Sequence, residues 1–112
     1  MDRTKIGVLV GTCMGGLTVF STAVEALIQK GYKKSTPFFI PYYITNMGSA
    51  LLAIDTDLMG PNYSISTAYS TANYCLFSAA NHIRKGEAEI LVAGGTEAAV
   101  MPIGVTGFIA RY

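Results

Sequence analysis

Charge is what this chain has least of. Asp, Glu, Lys and Arg together make up 13% of its 112 residues, against the usual quarter. Hydrophobic residues make up 51% and the mean hydropathy is +0.40. A chain of this length supports one modest domain at most, with much surface for its interior. So apolar a composition means that the chain either enters a membrane or has its apolar faces covered by protein from outside it. Long uninterrupted apolar runs are also missing. The stretch from Ser35 to Ile54 is uncharged but broken by Pro37, Pro41, Asn46 and Gly48, and the one from Leu58 to Ile83 is crowded with Ser, Thr, Asn and Gly. Neither supplies the roughly 20 mainly apolar residues that span a bilayer. The opening MDRTKIGVLVG resembles neither a secretory signal nor an Arg- and Ser-rich transit peptide. No membrane insertion and no targeting segment is expected, and the apolar excess points to protein partners.

Histidine and cysteine are scarce too. His82 stands alone, and Cys13 and Cys75 lie far apart, which gives no metal-ligand spacing. Nothing in the chain looks secreted, so both cysteines are expected as free thiols. Net charge is +1 with Lys and Arg scattered, so no nucleic-acid surface is expected.

What is present alternates between two periodicities. Lys5 to Thr12 is a short run rich in β-branched residues and reads as a buried strand. Gly15 and Gly16 turn the chain, and Leu17, Phe20, Val24, Leu27 and Ile28 recur at helical spacing up to a glycine cap at Gly31. Tyr32 to Pro41 reads as a loop. A second helix is predicted from Thr45 to Leu58, a strand over Tyr63 to Thr67, a third helix from Ser70 to Lys85 capped by Gly86, and a strand from Glu89 to Ala93. The tail from Met101 to Ala110 is apolar, and it reaches Arg111-Tyr112 with no evident finishing element. Strand, helix, strand, helix, strand is a parallel βαβ pattern with right-handed crossovers. Parallel strands need cover on both faces, which so few helices cannot supply, so residues 1–112 are expected to be part of a larger α/β domain.

Two segments could carry chemistry. Gly11 to Gly16 (GTCMGG) sits between strand and helix, as a dinucleotide fingerprint would. The spacing is G-x-x-x-G-G, though, with Cys13 where a close-approach glycine is wanted, and no P-loop lysine follows. It reads as a structural turn, and no cofactor is expected. Ser66 to Asn73 (STAYSTAN) leaves a strand, turns sharply and opens a helix. Such an elbow lifts one side chain above the sheet at a helix N-terminus, where a thiol's pKa falls below its ordinary value of about 8.5. The residue at the apex is Tyr69, whose phenol attacks a thioester far more weakly than a thiolate, and packing is the favoured role for its ring. Cys75 reads as a small core residue. His82 reads as solvated or facing the end of its helix, and Asp55, Asp57, Glu87 and Glu89 as solvated carboxylates. No residue near Cys13 in sequence activates it.

Taken together, the segments IGVLVGTCMGGLTVF, PFFIPYYITNMGSALLAID, GPNYSISTAYSTANYC and IRKGEAEILVAGGTEAAVMPIGVTGFIA resemble the β-ketoacyl-ACP synthases, the decarboxylating condensing enzymes of fatty-acid synthesis in plastids and bacteria. The resemblance runs along essentially the whole chain but covers only about a quarter of a family member. It implies a partial thiolase-like α/β fold belonging to the family's N-terminal domain, acyl carrier protein as partner, pairing with itself or with an intact synthase, no cofactor, and a plastid or cytoplasmic setting. The family's Thr-Ala-Cys falls on Thr67, Ala68 and Tyr69, so tyrosine replaces the nucleophile. The two histidines and the lysine of the family site have no counterpart in these 112 residues. Met14 matches a residue beside the acyl pocket, and Tyr43 one near the pocket end and the dimer interface. The resemblance thus implies a catalytically silent member, or a fragment that pairs with an intact synthase. A third reading, an excerpt of an active synthase, is opposed by Tyr69.

Overall fold

A computed structural model describes residues 1–34 and 36–110; Ser35, in the expected loop, and Arg111 and Tyr112 lie outside the described residues. The chain parts into two compact units, Met1–Cys13 with Thr45–Thr96, and Met14–Ile44 with the segment from Glu97 onward.

The first unit is built on two parallel strands, β1 (Ile6–Gly11) and β2 (Ile90–Gly95). They pair in register from Ile6–Ile90 to Gly11–Gly95. Helices α3 (Met47–Thr56) and α4 (Thr71–Arg84) pack on this ribbon, α3 on β1 and α4 on both strands. The core is small: Val8, Leu9 and Cys75 are fully buried, with Ala53, Ala79 and Ala88 around them. Small residues on the helices let backbone approach strand closely. Ser49 is also fully buried, and its hydroxyl donates to the Val8 carbonyl at 2.8 Å, as burial of a hydroxyl requires. Cys75 is the core residue that its place on the apolar face implied. β2, in contrast to β1, leaves Ile90 and Val92 exposed, so one face of this strand is uncovered.

The second unit holds α1 (Leu17–Lys30), α2 (Phe39–Tyr43) and α5 (Pro102–Ile109). Gly31 closes α1 at φ 75°, its N–H on the Leu27 carbonyl, as the cap reading expects. Phe20 of α1 stacks on Tyr43 with ring centroids 5.3 Å apart, and Phe39 on Tyr43 at 5.6 Å. Gly16, at φ +72°, precedes α1, and a side chain there would run into the Tyr42 carbonyl. This turn therefore needs glycine twice over.

Three expectations fail. The segment Tyr63 to Thr67 is no strand: the pairing with β1 lies just before it, in a parallel bridge between Val8 and Asn62 and in hydrogen bonds from Gly60 N–H to the Ile6 carbonyl and from Val8 N–H to the Pro61 carbonyl. It still follows β1, since the Pro61 carbonyl lies against Gly7 and the Ile65 carbonyl against Gly11. Equal steps in one direction mark a strand's course without its ladder, and side chains hold it instead. The loop from Tyr32 to Pro41 contains a 3-10 turn at Tyr32–Lys34 and the start of α2. Pro41 fits because it lies in the first helical turn, where no backbone N–H needs a partner. The tail forms α5, with Pro102 opening the helix. Gly104 and Gly107 had hidden it, and Gly104 is the residue that lets α5 lie against the Ala99 carbonyl. The helix predicted from Thr45 to Leu58 is shorter, Met47–Thr56, and ends on Asp57 in the left-handed region at φ 54°. No described helix is long and apolar enough to cross a membrane.

Candidate active-site elbow

The segment from Ser66 to Thr71 folds as a tight elbow at the carboxyl ends of the two strands. The Ser70 N–H donates to the Thr67 carbonyl at 3.1 Å, closing a four-residue turn. Its third residue, Tyr69, has φ 62°, whereas Ala68 is not among the residues with positive φ. That is the pattern of a type II turn, in which glycine is the usual third residue. A bulky side chain held there costs on the order of 1–3 kcal/mol unless the surroundings fix it. The ring does not pack as expected from the sequence: the turn presents it outward, 79% exposed.

The surroundings do fix it. Thr71, the first residue of α4, is buried; its Oγ1 accepts from the Thr67 N–H at 3.0 Å and donates to the Thr67 carbonyl at 2.8 Å. Ser70 Oγ lies 3.3 Å from Thr67 Oγ1, and Ser66 Oγ bonds the Thr12 carbonyl. The Cys13 sulfur lies 3.2 Å from Thr71 Oγ1. Glycines at both strand ends make the room. A Cβ at Gly11 would strike the Ile65 carbonyl and the Thr71 methyl, and one at Gly95 would lie 3.1 Å from the Ala72 Cβ. In open parallel sheets this end is where ligands bind. Sequence reasoning found the elbow and its apex but missed Thr71, although a threonine four residues after Thr67 at a helix start was a legible capping signal.

The other two proposed positions lie in the second unit. The Met14 N–H donates to a Glu97 carboxylate oxygen at 3.1 Å. Tyr43 joins the aromatic stack with Phe20 and Phe39 and is 42% exposed. A groove of 370 Å³ runs along α1, lined by Phe20, Val24, Ile28 and Ile103 among others. Tyr69 belongs to one unit, and Met14 and Tyr43 to the other.

Among the described residues no three of His, Cys, Asp and Glu gather as a metal site, and Cys13 and Cys75 are not joined in a disulfide. His82 departs from the solvated role read from the sequence. Its ring is bound on both nitrogens, Nε2 to the Tyr63 hydroxyl at 2.8 Å and Nδ1 to the Glu87 carboxylate, so Glu87 is not simply solvated either. Asp57 pairs with Arg3 at 2.9 Å on the surface, where such pairs contribute little. The Asp2 carboxyl is held below its ordinary value by hydrogen bonds from the Thr4 hydroxyl and backbone N–H.

A family profile described as the beta-ketoacyl synthase N-terminal domain matches residues 1–111. The chain is 69% identical over 110 residues to the chloroplastic 3-oxoacyl-[acyl-carrier-protein] synthase I of Arabidopsis thaliana, covering 98% of this chain and 23% of the relative. The Hordeum vulgare counterpart is 70% identical, with 98% and 24% covered. A 3-oxoacyl-[acyl-carrier-protein] synthase 2 from Vibrio cholerae is 45% identical over 107 residues, 96% of this chain and 26% of the relative. The chain thus spans about a quarter of the length of these relatives. Among solved structures, a type II polyketide acyl-carrier protein in complex with its ketosynthase superposes with TM-score 0.91 at 23% identity, over 96% of this chain and 31% of that one. The ishigamide ketosynthase/chain length factor superposes with TM-score 0.80 at 22% identity, over 96% and 30%. At those identities the likeness is one of fold, and it makes this a partial thiolase-like α/β fold.

Proposed function

We propose that this chain, which belongs to the β-ketoacyl synthase family, carries that family's nucleophile elbow without its nucleophile and does not condense acyl groups by itself. The reaction at issue transfers an acyl group from an acyl-carrier-protein thioester to an enzyme thiol, then joins it to the carbanion left when malonyl-ACP loses carbon dioxide. Tyr69 carries the proposal: it stands at the apex at φ 62°, in the geometry that would present a cysteine, and offers a phenol instead. An acyl group moved to that oxygen would need a base to take its proton. The Tyr69 N–H is one oxyanion donor of this arrangement; the histidines and lysine that would complete the site have no match in this sequence. Met14 and Tyr43 are assigned to the acyl-pocket side, supported by the apolar aromatic cluster around Tyr43. Residues 1–112 form part of a β-ketoacyl synthase N-terminal domain, a reading supported by the exposed Ile90 and Val92 of β2. The names of the chloroplastic relatives favour a plastid setting over a cytoplasmic one.

Assaying the chain and its Tyr69→Cys variant with acyl-ACP and malonyl-ACP tests this. Neither should form a ketoacyl product, and product from the wild-type chain would overturn the reading. A second reading, pairing with an intact synthase through the region from Ile44 to Leu52, is favoured by the exposure of Leu51 and Leu52 on α3. Co-purification with a full-length synthase checks it, and no complex at micromolar concentration would sink it.

A further inference from the structure

The segment that leads into the elbow has no strand ladder, yet it must deliver Thr67 to Thr71 accurately enough to hold Tyr69 at a positive φ. Its far end is fixed by Tyr63, whose hydroxyl lies 2.8 Å from His82 Nε2, with the two rings edge to face at 5.7 Å. His82 lies in the last turns of α4, the helix that begins at the elbow. The segment therefore runs back along α4, over a length on the order of 15–20 Å at 1.5 Å per residue. Thr67 and Thr71 pin it at the elbow, Tyr63 and His82 at the open end. Glu87 sets the second pin. Its carboxylate can only accept, so His82 Nδ1 carries the proton toward it. In the neutral ring Nε2 is then the acceptor, and the Tyr63 hydroxyl donates. The His82 side chain is only 21% exposed, and Lys5 on the Gly86 carbonyl at 2.9 Å braces the turn that carries Glu87.

We infer that His82 is a positioning residue: oriented by Glu87, it grips Tyr63 and so fixes the backbone that presents position 69. The inference concerns the shape of the elbow and stands whether or not the chain accepts acyl groups.

Nitrogen NMR on the full chain at alkaline pH, where the imidazole is neutral, reads the tautomer directly. Wild-type His82 should carry its proton on Nδ1, and Glu87→Ala should shift it to Nε2; an Nε2 proton in the wild type would overturn the inference. Amide exchange gives the consequence. Tyr63→Phe keeps the ring but not the hydroxyl, and should speed exchange at Thr67 and Ser70 by about tenfold, the scale of one net hydrogen bond. The amide of Leu9, on the strand that pairs with β2, should hold its protection. Unchanged exchange at the elbow, or an equal rise at Leu9, would show Tyr63 and His82 to be general packing and contradict the positioning role.

Discussion

Two turns in this chain put a residue in the left-handed region just before a long helix, and they do so for opposite reasons. Gly16, at φ 72°, opens α1; Tyr69, at φ 62°, sits two residues before α4. At Gly16 the fold has no room for a side chain, because the Tyr42 carbonyl occupies the place where a Cβ would be. At Tyr69 the side chain points outward, 79% exposed, and the backbone strain is held by Thr71 and its neighbours. Strain kept where glycine would relieve it marks a position whose side chain has had a use. The first turn is architecture, while the second holds an exposed side chain at a helix start, the geometry on which the proposed loss of the nucleophile rests.

Substitutions can break or sharpen that contrast. Gly16→Val should be the most damaging, at about 3 kcal/mol, adding left-handed strain to a collision with backbone; a urea midpoint close to wild type would show the turn to be adaptable. Thr71→Val keeps the shape of the side chain but removes the hydroxyl that serves the Thr67 N–H and carbonyl. It should cost about 2 kcal/mol by leaving buried polar groups unpaired, read by the same melt. Tyr69→Gly has the opposite sign: relief of strain should raise stability by about 1 kcal/mol, whereas a loss would mean that the ring's packing outweighs the strain. The smallest effect lies away from both turns. Hydrogen bonds from Thr4 lower the Asp2 pKa in the folded chain, so their small contribution is present above the ordinary value of 3.8 and is lost as pH falls through the lowered one. In Thr4→Val, proton titration by NMR should find the Asp2 pKa moved upward.

Much of this was legible in the sequence, and the failures have physical causes. β1, α1 and α4 announced themselves through β-branched runs, helical spacing and glycine caps at Gly31 and Gly86. The elbow was legible because STAYSTAN joins an extended run to a helical one. The course of Tyr63 to Thr67 was legible, but not its missing ladder: pairing belongs to two segments, and the bonds to β1 fall on Gly60 and Pro61, ahead of the extended run. α5 was hidden by two glycines whose use, close approach to Ala99 in the case of Gly104, appears only in three dimensions. His82 was misread for the same reason. Its partner Tyr63 is 19 residues away, and no local pattern joins them.

The central claim is that the elbow at Tyr69 survives without a nucleophile. Incubating the purified chain with acyl-ACP, or with cerulenin, and weighing it intact tests that most directly. The account predicts an unmodified mass. A stoichiometric acyl or cerulenin adduct, mapped to Cys13 or Cys75, would contradict it.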